Sequence, residues 1–213
     1  MRCFSTFLLS FLLCTGMAQT PNSDLYQLPI KKATGSIRLD GELNEPDWQA
    51  AAAADHFKLV FPNDTSYSKF QVVAHATFDD HNLYIGAVCY QPRETYITQS
   101  LRRDFDPGTT DVLNMLFDPS KDGLNGFLFS ISPFNVQREA LISNGQQLSF
   151  EWDNKWYSSV KNYDDRWVIE VAIPFKTLRY SVSDGPNSWG LQLSRAKVQQ
   201  FEVCTWAPVP FQY

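Results

Sequence analysis

The chain has 213 residues, a formal net charge of −5 and an aromatic content of 15 %. That length allows one domain with a core large enough to stand without staples, and the acidic balance argues against nucleic acid or an anionic membrane surface as a partner. Aromatic residues are abundant while alanine is sparse outside the tract Ala50 to Ala54, which points to β structure.

The opening stretch MRCFSTFLLSFLLCTGMAQT places Arg2 before an apolar run from Phe7 to Leu13, then Gly16 and Ala18 at the spacing of a peptidase site. Residues 1–18 are therefore expected to be an export signal cleaved after Ala18. The run is shorter than the ~20 residues of a spanning helix, and Leu13 stands where a lipid-attachment site at Cys14 needs a small residue. Cleavage leaves Cys89 and Cys204, for which a disulfide and two buried thiols both fit. His56, His75 and His81 are scattered, without metal-ligand spacing. Residues 19–29 are polar and proline-bearing, expected to form a flexible leader to a single domain over 30–213.

Within that domain, Ile37 and Leu39 are expected to end a strand, Asp40-Gly41 to turn the chain, and Asn44 to cap a short helix whose first turn holds Glu45, Pro46 and Asp47. Trp48 then shares a face with Ala51 and Ala52 and can lie against a sheet. Alternating runs follow. Phe70 to Phe78 and Leu83 to Tyr90 flank the turn residues Asp79 to Asn82, and Asp111 to Asp118 and Gly126 to Pro133 flank PSKDGLN. Val136 to Ile142 is expected to pair with Lys155 to Lys161, which NYDDR joins to Trp167 to Pro174; Trp189 to Val198 and Phe201 to Trp206 close the chain. In IPFKTLRY, Pro174 ends a strand and one helical turn folds Phe175 and Leu178 back onto the sheet. About ten short strands at this spacing predict an all-β fold: an antiparallel two-sheet β-sandwich with one short helix after the first strand.

LDGELNEPDW resembles the opening signature of the carbohydrate-binding module family 9 type domain, in which Leu-Asp-Gly, an acid and a tryptophan follow this pattern. DDHNLYIGAVCY, RRDFDPGTTDVLNMLFDPSKDGLNGF, WDNKWYSSV, DDRWVIEVAIPFKTLRY, WGLQLSR and TWAPV continue the resemblance in order, over Ile37 to Val209. The chain also resembles the N-terminal domain of large Gram-negative outer-membrane proteins, whose β-barrel region is missing here. The resemblance implies an exported, non-catalytic domain that binds an oligosaccharide or polysaccharide of the xylan or cellulose class, in the periplasm, at the outer membrane or outside the cell. The alternative it leaves open is an assembly domain that contacts a barrel and binds no sugar. Family members clamp sugar between two tryptophans; the first aligned position here is Gly108, and the second lies beyond Tyr213.

A sugar site needs an exposed aromatic plate ringed by hydrogen-bonding side chains. WDNKWY offers Trp152 and Trp156 on one side of an extended chain, although core packing is the rival role. LRRDFDPGTTD sits where the resemblance places part of the cleft. There Arg103 can donate to vicinal hydroxyls or brace against Asp104, and Asp111 can bind ligand or hold the loop through backbone N–H groups. The sugar-binding candidates are thus Arg103, Asp104, Asp111, Trp152 and Trp156, with no catalytic residue and no required cofactor. DPSKDG imitates half of a calcium loop, but position twelve is Phe129 instead of the closing glutamate, and a plain hairpin uses the same residues. Glu151 and Asp153 form an acid pair with nothing nearby to raise a pKa.

Overall fold

The computed structural model describes residues 26–180 and 185–208; the expected signal peptide and residues 19–25 of the expected leader lie outside them. Among the described residues, thirteen strands form two sheets. They are β1 (Lys31–Lys32), β2 (Ala53–Ala54), β3 (Lys58–Phe61), β4 (Val72–Phe78), β5 (Asn82–Tyr90), β6 (Val112–Asp118), β7 (Gly126–Ile131), β8 (Gln137–Ser143), β9 (Gln147–Ser149), β10 (Tyr157–Asn162), β11 (Arg166–Pro174), β12 (Gly190–Lys197) and β13 (Glu202–Thr205). The six-stranded sheet runs β1-β4-β5-β11-β10 with β2 also on β4, and the seven-stranded sheet runs β3-β13-β12-β6-β7-β8-β9. All pairings are antiparallel except β1 on β4.

The period of two sorts the side chains. In β6, Leu113, Met115 and Phe117 enter the shared core with Phe129 and Ile131 of β7, facing Ile85, Ile169 and Val171 of the other sheet. Cys89 and Cys204 are both buried in that core as free thiols, and burial pushes them up to about 12 and about 11 respectively. The 3-10 turn Phe175–Thr177 follows β11 as expected, with Leu178 buried and Phe175 edge-on to Trp189.

The segment around LDGELNEPDW covers the outer face of the six-stranded sheet. The helix α1 (Pro46–Ala50) is short and follows β1, with Pro46 in its first turn. Trp48 is 2 % exposed, packed with Tyr84 and Ala172, and its indole donates to Glu170 at 3.1 Å. Glu170, fully buried, also accepts the N–H groups of Asp40 and Gly41, each at 2.8 Å. Burial raises its carboxyl above the ordinary range, although these three donors favour the ionised form. Gly41 has φ +83°, and a Cβ there would stand 2.8 Å from Lys161, so the turn requires glycine. In β5, a Cβ on Gly86 would strike Leu43 at 2.6 Å and crowd the Trp48 ring, which explains a glycine in mid-strand.

Four expectations need correction. Ile37 and Leu39 belong to no strand; their side chains cover the cluster of Trp48, Tyr84 and Ala172 on the outer face of the sheet instead of joining a ladder. Asn44 does not cap α1: its amide donates to Glu42, and Glu45 occupies the cap position, its side chain accepting from Arg38 N–H instead of capping the helix. Residues 26–29 are not a free leader, since Tyr26 meets Trp206 at 5.9 Å and Leu28 packs on the core. Val136 to Ile142 does not pair with Lys155 to Lys161. β8 pairs with β7 and β9, and the chain then crosses to the other sheet, where β10 pairs with β11. Trp152 and Trp156 drive that crossing by inserting against Phe129, at 5.9 and 5.4 Å between ring centroids.

Candidate functional site

The outward side chains of the seven-stranded sheet form a polar row. Asn114 of β6 lies between Ser194 of β12 and Ser130 of β7, and Ser130 lies opposite Arg138 of β8. Asn114 donates to Ser194 at 3.2 Å, and Ser130 donates to Asn114 at 2.7 Å. Arg138 ends the row. It is 8 % exposed, and its guanidinium carbon lies 4.1 Å from the ring centroid of Phe150, an exposed aromatic on the segment after β9.

Beyond its place in the β7–β8 ladder, the Arg138 side chain makes no hydrogen bond or ion pair with any described residue. Burial pushes its pKa down, while the nearby charges of Asp104 and Asp106 act in the opposite direction. Both acids are exposed on the loop before β6, which Phe105 anchors by packing on Val112, Val136 and Ala196. The anchor fixes where the acids stand: Asp104 donates its N–H to the Gln137 carbonyl at 3.0 Å, and Asp106 accepts from Gly108 N–H at 2.9 Å.

A guanidinium only donates hydrogen bonds and a carboxylate only accepts them. A hydroxyl does both. A ring bearing several hydroxyls and an apolar face therefore matches a site with Arg138, two carboxylates and a flat Phe150.

The sequence-derived candidates divide around this site. Asp104 alone reaches it. Arg103 is a brace, but to Glu139 instead of Asp104: Nη1 donates to Gln137 at 2.9 Å, while Nη2 donates to Glu139, to Asp153 at 3.3 Å and to the Asn154 carbonyl at 3.1 Å. Glu139, 1 % exposed, also accepts from the Trp156 indole at 3.1 Å. Trp156 is thus 3 % exposed and no sugar plate, and Trp152 is half-buried against Phe127 and Phe129. Asp111 is fully buried and accepts from Ile97 N–H, Gln91 and Val198 N–H at 3.2, 2.7 and 2.8 Å, so it holds the loops together. Gln91 passes the connection on to buried Arg195 at 2.6 Å.

Asp118 and Asp122 accept from backbone N–H groups within their hairpin turn, at 2.7 to 2.8 Å. Arg138 and Phe150 carry the site and were missed. Alternation along VQREALI does place Arg138 on the face opposite Glu139, which was the available signal for the arginine; Phe150 lies in an irregular segment with no period to read.

The chain matches no protein-family model and no curated protein. Solved structures do match its fold. A carbohydrate binding module family 9 domain from Caldicellulosiruptor kristjanssonii in complex with cellotriose is 14 % identical, with a TM-score of 0.59 over 83 % of each chain. The glucose complex of such a module from the same organism gives 14 % identity and 0.56, over 83 % of this chain and 84 % of that one. A proposed carbohydrate-binding protein from Bacteroides uniformis is 10 % identical with a TM-score of 0.66, over 87 % of this chain and 90 % of that one. The chain has the family 9 fold.

Proposed function

We propose that this sandwich is a non-catalytic carbohydrate-binding domain that holds an oligosaccharide of the xylan or cellulose class on the outer face of its seven-stranded sheet. The observation that carries the reading is Arg138: a residue nine-tenths buried whose guanidinium lies over an exposed ring, near two exposed carboxylates, with no side-chain hydrogen-bond partner among the described residues. Leaving such a donor unpaired is costly unless a ligand or water completes it. The fold shared with modules solved with cellotriose and glucose supports the same ligand class. No catalytic role is assigned, because Asp153 is engaged by Arg103 and its neighbour Glu151 is solvent-exposed. The export-type segment at residues 1–18 and the resemblance to outer-membrane proteins suit a role in glycan capture for catabolism at the cell envelope or outside it.

Isothermal titration with cello- and xylo-oligosaccharides tests the proposal. Saturable heat is expected, and Arg138→Ala is expected to weaken binding at this site at least tenfold with the thermal transition kept. Flat heats across the panel at millimolar sugar would refute it.

A further inference from the structure

We infer a second carbohydrate site on the other flank of the same loop, in a cleft of about 660 Å³ between the β7–β8 turn and β10. Phe134, Tyr157 and Leu101 wall the cleft and are 46 %, 46 % and 73 % exposed. Two of these walls are aromatic plates held from one side: Phe134 meets Tyr96 edge-on at 6.3 Å, and the Lys155 ammonium stands 5.3 Å from the Tyr157 centroid. Such rings present a flat apolar surface at little cost in side-chain freedom.

Between the plates runs an amide and hydroxyl relay. Gln137 donates to Ser158 at 2.8 Å, Ser158 donates to Asn135 at 2.6 Å, and Asn135 donates back to the Ser158 carbonyl at 3.3 Å. Each amide retains capacity for a further bond, as donor or acceptor. Arg103, the charged residue of the lining, is already engaged by Glu139 and Asp153, and Lys155, a cation beside the walls, stands over the Tyr157 ring. Aromatic walls and a neutral amide floor together select a hydroxyl-bearing ring with an apolar face. An extended peptide fits less well, because at the free edge of β10 the carbonyls of Trp156 and Ser158 already accept from Gln137 and Asn135.

This site shares a loop with the Arg138 site but none of its ligand-facing residues, so each can fail alone. The experiment is a titration of cellotriose and xylotriose into the wild-type chain, Arg138→Ala and the double variant Phe134→Ala/Tyr157→Ala, with sedimentation and thermal melting alongside. The truncated rings are half exposed, so the double variant is expected to melt cooperatively; should it not, Tyr157→Phe, which removes the phenol hydroxyl alone, is titrated in its place. The wild type is expected to bind two sugars per chain. Arg138→Ala should keep one, and the double variant should lose the other with at least about a tenfold drop in its affinity. Two sites surviving in the double variant, or Arg138→Ala abolishing all heat, would overturn the second site. If Arg138→Ala binds as wild type while the double variant loses sugar, the cleft stands and the reading of Arg138 falls. A double variant that changes only its sedimentation would mark the cleft as a contact between copies and overturn the proposal.

Discussion

Two tryptophan–glutamate clasps hold opposite sides of the molecule. Each has a buried indole donating at 3.1 Å to a buried carboxylate: Trp48 to Glu170 on the six-stranded sheet, and Trp156 to Glu139 beside β8. Their other partners differ. Glu170 takes two backbone N–H groups and no cation, whereas Glu139 takes Arg103, which reaches across to Asp153 and Asn154. The neutral clasp fastens one segment to one sheet. The charged clasp ties together the β8 strand and the two loops that flank the ligand face, so a mutation there should be felt in binding as well as in folding.

The largest effect should come from the neutral clasp. Trp48→Ala empties the satellite core and removes one of the three donors to Glu170, and should cost about 4 kcal/mol in denaturant unfolding; oligosaccharide affinity in the folded fraction should stay within about twofold. Glu139→Ala comes next, with a loss of about 3 kcal/mol because Arg103 and the Trp156 indole lose their acceptor. Unlike Trp48→Ala, it should also weaken sugar binding severalfold, and equal affinities for the two variants would erase the distinction between the clasps.

The smallest effect concerns pH. Because burial raises the folded pKa of Glu170 above the ordinary 4.5, its stabilising contribution is complete below 4.5 and is lost as pH rises through the folded value. Glu170→Gln, which cannot titrate, should therefore compare least favourably with the wild type at acid pH and recover relative to it toward neutrality. A gap between the two melting curves that stays constant with pH would show that Glu170 does not titrate in this way.

Much of the fold was written in local pattern. The hairpins β4–β5, β6–β7 and β10–β11 each combine alternation with turn residues, and all three form. What alternation does not encode is which sheet a strand joins. β8 and β10 lie on different sheets because Trp152 and Trp156 plug the core between them, a contact between residues far apart in sequence. The site was harder for the same reason. Arg103 and Arg138 are both arginines in polar surroundings, yet one is saturated by Glu139 and the other sits unpaired over Phe150, and only the docking of two loops decides between them. Asp111 looked like a ligand because it is an acid at the mouth of a strand; burial and three internal donors make it a knot.

The sealed sulfhydryls of Cys89 and Cys204 give the domain a gauge of its own opening. Neither ionises readily nor meets solvent while the layers stay together, so a thiol-reactive dye will label them at the pace at which the sandwich breathes apart. No disulfide joins the described residues, so refolding of the sandwich is expected to need no oxidant.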